Sequence, residues 1–283
     1  MNQSKAHVYT LSAAELRELQ LVLLDMLIEL DRICRKNNIR YCLDGGTLLG
    51  AVRHKGFIPW DDDLDVVITR EEYIKLRKAC ETDLDENKFF FQDQTTDSNY
   101  RWGYGRLRRK NSEFIRVGQE HMKMKTGIFL DIFPRDNVPD LKIIYFFHNL
   151  YCYILRKLLY SETGMFTGSN PMVRLCYRLL YIIPASYTFK KLDGLAARCN
   201  RKQRKRMRTL TFPMLLKRQF GYKREWFEET SEIMFEGQMF FCAKDYHGYL
   251  KDLYGDYMTP PPLEKRHWHP VSKFYLPKRK EEI

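Results

Sequence analysis

Leu16, Leu19, Leu23, Leu24, Met26, Leu27, Leu30 and Ile33 recur at helical spacing. That period predicts an amphipathic helix from Leu11 to Asn37 with one broad buried face. Ser12 followed by Glu15 forms a capping box at its start, and Asn37 and Asn38 end it. Ile39 to Leu43 then reads as a short strand leading into a tight turn at Gly45 and Gly46, and Thr47 to Arg53 as a brief helix. A loop from His54 to Trp60 leads to Asp63-Leu64-Asp65-Val66-Val67-Ile68, which has strand character. Alternation on that strand sends Asp63 and Asp65 to one face and Leu64 and Val66 into a core. Arg70 to Thr82 predicts another helix, while Phe89 to Gln92, Tyr104 to Leu107, Phe114 to Val117 and Gly127 to Phe133 predict strands. Beyond Asp140 the pattern changes to aromatic-aliphatic helical runs broken by Lys and Arg, with no strand alternation as far as Lys217. Two to four helices are expected there. Glu232 to Cys242 reads as a strand or hairpin around Gly237, Lys244 to Leu253 as a helix, and three consecutive prolines from Pro260 hold the tail extended.

These elements predict an α+β fold, with a mixed β-sheet core flanked by helices. Residues 1–139 would form the catalytic core, 140–217 an inserted, mostly helical subdomain, and 218–283 the part that completes the core. At 283 residues and 44% hydrophobic content the chain can bury a substantial core, which excludes wholesale disorder. The net charge of +12 is concentrated: Leu195 to Arg224 holds eleven Lys or Arg and no acid. Two readings of the helical region stand side by side. It is either an ordinary subdomain packed on the core, or a surface whose aromatics enter a headgroup region while its cations meet anionic lipid. A polyanionic acceptor would suit the basic run equally, whereas nucleic acid is not expected. Seven scattered cysteines without a C-x-x-C pair point to reduced thiols and a cytoplasmic setting. The first residues lack an apolar signal core, and no window approaches the roughly eighteen apolar residues that a spanning helix needs. The expected location is cytoplasmic, with peripheral contact at the inner face of the membrane.

The chemistry concentrates at Asp61, Asp62, Asp63 and Asp65, four carboxylates in five positions. Such density repels itself unless a cation sits within it, and paired hard oxygens suit Mg²⁺ or Mn²⁺. Gly45 and Gly46 allow close approach of backbone to phosphate, with the Thr47 hydroxyl beside them. Asp131 interrupts an apolar run, where an unpaired carboxylate would cost roughly several kcal/mol. It is either bonded to Arg135 or backbone amides, or it belongs to a site. Arg53, His54 and Lys55 follow the turn, and Arg106 leads Arg108 and Arg109; these can meet diphosphate oxygens or be solvated surface charges. No nucleotide-binding P-loop and no Gly-x-Ser-x-Gly elbow is present.

The stretch GGTLLGAVRHKGFIPWDDDLDV closely resembles the signature of LicD-type phosphotransferases, whose eukaryotic relatives include the fukutin-related proteins. It is similar more widely to nucleotidyltransferases, marked by a Gly-Gly/Ser turn, an Asp-x-Asp strand and a third carboxylate on a neighbouring strand. DIFP at Asp131 to Pro134 resembles the context of that third carboxylate. The resemblance implies metal ligation by Asp63, Asp65 and Asp131, with Asp131 or Asp61 taking the acceptor's proton; Asp61 and Asp62 could instead orient the ligands. It supports substrate contacts at Gly45, Gly46, Thr47, Arg53 and His54, and Arg106 has a similar opportunity from its strand end. The tail YGDYMTPPPLEKRHWHP resembles the family's C-terminal signature, and Arg266, His267, Trp268 and His269 either complete a pocket or brace the surface. The implied reaction moves a phospho-alcohol such as phosphocholine from a CDP-alcohol donor, for example CDP-choline, to a hydroxyl of a cell-surface glycan such as lipopolysaccharide or teichoic acid, or its lipid-linked precursor, with CMP leaving. A choline cargo would need an aromatic cage, for which Trp60, Trp102, Tyr104 and Trp268 are candidates. Some eukaryotic relatives carry a zinc-binding insertion; here His148 and Cys152 are one helical turn apart, but Cys176 and Cys199 lack paired spacing, and no zinc is expected. Two other functions remain: attachment of a nucleoside monophosphate to a small molecule, and a non-catalytic module for anionic glycans or membranes. Intact Asp63, Asp65 and Asp131 speak against the latter.

Overall fold

A computed structural model describes residues 8–212, 221–266 and 268–276. Helix α1 (Ala13–Lys36) carries the capping box, with Ser12 accepting from the Glu15 amide, and buries Leu19, Leu23, Met26, Leu27 and Leu30. Strand β1 (Cys42–Leu43) pairs antiparallel with β2 (Asp65–Thr69), and α2 (Gly45–His54) lies between them. This helix starts two residues earlier than its apolar pattern implies. Gly45 takes φ +49° there, a conformation available to a residue without a Cβ. Helix α3 (Arg70–Asp83) is capped by Thr69 and leads to β3 (Phe89–Gln92), β4 (Gly105–Arg109), β5 (Glu113–Arg116) and β6 (Phe129–Asn137).

The central sheet has the order β1-β2-β6-β4-β3, parallel between β2 and β6 and antiparallel elsewhere. Strand β6 runs four residues past the expected end and includes Pro134. The missing N–H is tolerated because β4 pairs only with residues 129–132, so Pro134 has β2 on one side alone. Helices α4 (Lys142–Thr167), α5 (Pro171–Tyr181) and α6 (Ala185–Asn200) follow, three where two to four were expected. The expectation that this region lacks strands is corrected by β7 (Arg206–Arg208), which pairs with the end of β6 and with β8 (Tyr222–Lys223). Three residues are too few to show a period of two. Short α7 (Glu225–Glu228) precedes the hairpin of β9 (Thr230–Phe235) and β10 (Gln238–Ala243), closed at Glu236 and Gly237, both at positive φ. Helix α8 (Tyr246–Tyr254) comes next, and β11 (Val271–Tyr275) in the tail pairs with β5.

The chain is therefore α+β. One large core packs α1, α2 and the β9–β10 hairpin on the sheet, and a second joins Tyr145, Cys152, Leu155 and Leu159 of α4 to Phe189, Leu192 and Ala196 of α6. Within the second core, folding brings Cys199 Sγ to 3.4 Å from His148 Nε2, with Cys152 Sγ 3.9 Å from His148 Nδ1. Among the described residues, no helix is long and apolar enough to cross a membrane.

Candidate active site

Register builds the site. Asp65 of β2 pairs with Asp131 of β6, Asp131 pairs with Arg106 of β4, and Arg106 pairs with Gln92 of β3. Paired residues on adjacent strands share a face, so one polar row crosses four strands at the centre of the sheet. The residues around it are apolar: Leu64, Val66, Leu130 and Ile132 are fully buried on the opposite face. The strand was expected from Asp63 but begins at Asp65, so Asp63 stands in the approach to it, one residue before Leu64, whose carbonyl accepts from the Asp131 amide at 3.0 Å.

The Gly-Gly elbow is tied to this row from behind. The Asp65 amide donates to Thr47 Oγ1 at 2.9 Å, and the Asp44 amide to the Asp65 carbonyl at 3.0 Å. A Cβ on Gly46 would come within 2.9 Å of Asp61 Oδ2, so the missing side chain admits Asp61. Helix α2 thus directs its N-terminus, where the first amides have no intrahelical partner, toward the acidic cluster. Its other end carries Arg53, which donates to the Tyr257 carbonyl at 3.2 Å and to His54 Nε2 at 3.0 Å. Arg53 and His54 were expected to reach diphosphate; they stand outside the walls of the cleft because they occupy the far end of the helix.

Asp131 is paired, though not with the residue considered from the sequence. Arg106 Nε donates to Asp131 Oδ1 at 2.6 Å, with the guanidinium 3.8 Å from the Phe129 ring and Nη2 donating to the Tyr104 hydroxyl. Arg135 bonds Asp44 at 2.6 Å instead, and the Tyr249 hydroxyl donates to the same carboxylate. Arg106 does face the cleft, but it is committed to Asp131 first.

Burial and crowding raise the titration of Asp61, Asp63 and Asp65. Burial, then the neighbouring Asp63 and Asp62, push the Asp61 carboxyl up to about 8. Asp65 is raised well above the usual range by burial and then by Asp63 and Asp131. Burial also raises Asp63, against the opposing pull of His269 and Arg116. These carboxylates cannot all ionise at neutral pH without added positive charge. His269, from the tail, lies against them: Nδ1 is 2.9 Å from Asp62 Oδ1 and 3.5 Å from Asp63 Oδ2, and its amide donates to Asp62 Oδ2. Among the described residues, Asp62, Asp63 and His269 are the group whose ligand atoms all fall within 4.8 Å of one another. The expected trio of Asp63, Asp65 and Asp131 faces one cleft without closing that tightly. Asp63 sits before the strand, and Arg106 holds Asp131.

That cleft encloses about 320 Å³. Asp63, Asp65, Asp131, Arg106, Arg116 and His269 line it together with Trp102, Tyr104, Phe133, Tyr160 and Phe212, and cations and rings interleave, Arg106 lying 5.5 Å from the Tyr104 ring and Arg156 5.4 Å from the Phe212 ring. Arg101 and Arg156 add further cations. Of the candidate cage residues, Trp102 and Tyr104 line the cleft; Trp60 instead carries Arg266 at 4.1 Å, and Trp268 is 56% exposed. His267 lies outside the described residues. Sequence reading missed Arg116, Arg156, Tyr160 and Phe212. The spacing of Arg156 and Tyr160, polar groups four apart on an apolar helix, was the one available signal.

Residues 38–150 match the family described as LicD/FKTN/FKRP, nucleotidyltransferase domain. The lipopolysaccharide cholinephosphotransferase LicD of Haemophilus influenzae is 30% identical over 275 residues, covering 92% of this chain and 98% of that protein. The chain belongs to the LicD family. As a LicD-family protein it is an enzyme that transfers substituted phosphate groups. Two other relatives match more locally. The human ribitol 5-phosphate transferase FKRP is 40% identical over 75 residues, 22% of this chain and 15% of that protein. An uncharacterized protein of Rickettsia prowazekii is 30% identical over 152 residues, 54% of this chain and 52% of its own. The LicD match from 38 to 150 contains the polar row of Asp65, Asp131 and Arg106, whereas Tyr160, Phe212 and His269 come from beyond it.

Proposed function

We propose that this LicD-family enzyme moves a phospho-alcohol, with phosphocholine the leading cargo, from a CDP-activated donor to a hydroxyl of a cell-surface glycan or lipid-linked glycan precursor, releasing CMP. The observation that carries this reading is the side-by-side pair of Asp65 and Asp131 on parallel strands, opening into a cleft lined by both arginines and aromatic rings. The crowded carboxylates, raised in pKa by burial and then by one another, are a hard-oxygen donor set that fits Mg²⁺ or Mn²⁺. Asp63 and Asp65 would hold the ion, with Asp131 completing the set. An ion held by these residues would supply charge neutralisation at the donor's phosphate oxygens.

The chain's own groups do the rest. Arg116 and Arg156 offer bidentate donors to the phosphates and orient the diphosphate in line with the acceptor. Arg106 fixes Asp131 through one carboxylate oxygen, which keeps that side chain aimed at the place where the acceptor hydroxyl must lose its proton. Of the two bases considered, Asp131 lines the cleft and Asp61 stands behind Gly46, which favours Asp131. Trp102 and Tyr160 line the cleft beside Tyr104 and Phe212, whose rings carry Arg106 and Arg156; an aromatic lining suits a quaternary ammonium, a contact worth about 0.5–2 kcal/mol. The relative named for cholinephosphate transfer to lipopolysaccharide supports the choice of cargo and acceptor.

The test is incubation with a panel of CDP-alcohols, CDP-choline first, with Mg²⁺ or Mn²⁺ and lipopolysaccharide-derived oligosaccharide. Release of CMP together with a phospho-alcohol mass gain on the acceptor is expected. Release of pyrophosphate with a nucleotide attached to the acceptor would replace this reading with nucleotidyl transfer.

A further inference from the structure

The first half of α4 reverses the usual order of a surface helix. Between Lys142 and Arg156 it has no charged residue. Its inward face carries Tyr145, His148, Asn149 and Cys152. Its outward face carries Ile143, Phe147, Leu150 and Ile154, with Phe146 and Tyr151 beside them. Ile143 is 67% exposed and Phe147 is 61% exposed. A helix apolar on its solvent side needs a partner there.

What flanks this face identifies the partner. Helix α6 sets Tyr187, Lys190, Lys191, Leu195 and Arg198 on one stripe, and the groove it makes with α4 is lined by Tyr151 together with those two lysines and that arginine. Further along, Ile144, Phe147 and Leu195 line a groove of about 620 Å³ with Arg198, Arg201, Lys202 and Arg204. Asp140 is the acid in that groove, 3.6 Å from Arg204. Apolar rings and a row of cations therefore run side by side. A second copy docked on this face would set cations against cations. A polyanionic glycan would meet the cations and leave the rings in water. An anionic lipid surface satisfies both, with the apolar stripe entering the headgroup–acyl boundary and the cations meeting phosphates.

We infer that α4 and α6 dock the enzyme on an anionic bilayer through Ile143, Phe147, Leu150 and Ile154, with Lys190, Lys191 and Arg198 contacting lipid phosphates. The same α4 places Arg156 and Tyr160 in the catalytic cleft, and Arg156 follows Phe147 by about 14 Å along the helix at 1.5 Å per residue. Docking thus brings the cleft near the headgroups, where a lipid-anchored acceptor would present its sugar. That last consequence rests on the proposed transfer reaction; the docking itself does not.

The experiment is co-sedimentation of the full chain with phosphatidylcholine vesicles, with and without phosphatidylglycerol, over a salt series, so it is read without turnover. The wild type is expected to pellet with the phosphatidylglycerol vesicles at low salt and to be released as salt rises. Lys190→Ala with Lys191→Ala should lower partitioning roughly 30-fold, and Ile143→Ser with Phe147→Ser at least about tenfold. Both variants should keep the wild-type circular dichroism and the wild-type rate on a soluble acceptor. A wild type that stays in the supernatant at low salt overturns the inference, as does unchanged binding by the Phe147 double variant. A dimer in sedimentation velocity that the same variant dissolves would also overturn it, assigning the face to a second copy.

Discussion

Arg106 and Phe147 represent two regions that treat polarity in opposite ways. In the sheet, a guanidinium 2% exposed sits among carboxylates while apolar residues cover it. In the first half of α4, a benzyl ring 61% exposed faces solvent while His148 and Asn149 are buried behind it. Each region breaks the ordinary rule of apolar inside and polar outside, and each does so along a continuous line: a register row across four strands, or a stripe along one helix. Buried charge is costly unless paired, so the row marks a site where charge is required. An exposed apolar stripe marks a surface that meets something other than water. The two departures therefore point to different kinds of function, chemistry in one and contact in the other.

Substitutions can test this contrast from either side. Arg106→Ala leaves Asp131 buried without its partner, and should lower unfolding free energy by about 3–5 kcal/mol in denaturant titration. Asp65→Asn keeps the shape of the row and should retain the fold by circular dichroism, while reducing CMP release by about 10²–10³-fold. Activity near wild type in that variant would remove Asp65 from the chemistry. A third effect depends on pH. Asp61 in the folded chain holds its proton up to about 8, far above its ordinary range, so the folded state binds a proton that the unfolded state has released. In metal-free buffer the melting temperature should thus fall as pH rises from 5 to about 8. Asp61→Asn, which cannot ionise, should melt above the wild type at pH 8, with the gap closing toward pH 5. A gap that widened toward low pH would reverse the sign. The smallest change belongs to the other region: Phe147→Ser should shift stability by no more than about 0.5 kcal/mol, since its ring is already in solvent.

The same contrast explains what could be read before folding. Local signals survived well. The capping box of α1, the Glu236–Gly237 hairpin turn and the alternation through Leu64, Asp65 and Val66 all rest on neighbours within a few residues, and each appears where the pattern put it. The partner of Asp131 was not legible, because register between β4 and β6 rather than sequence distance chooses Arg106 over Arg135. For the same reason Arg116 and Phe212, drawn from distant segments, had no signal of a common cleft, whereas His269 was one of the four tail residues read as able to complete a pocket. Strand β7 was hidden by its length. For α4, the sequence shows a helix apolar nearly all round, and only the packing of α6 against Tyr145, Cys152 and Leu155 decides which side is left bare.

The central claim is that acidic side chains from β2, its approach and β6 form one divalent-cation site, and Mn²⁺ titration followed by electron paramagnetic resonance addresses it directly. The account predicts that the wild type takes up Mn²⁺, that Mg²⁺ competes for it, and that Asp63→Asn and Asp65→Asn each weaken uptake at least about tenfold. Mn²⁺ affinity unchanged in both variants, or no uptake by the wild type, would contradict it.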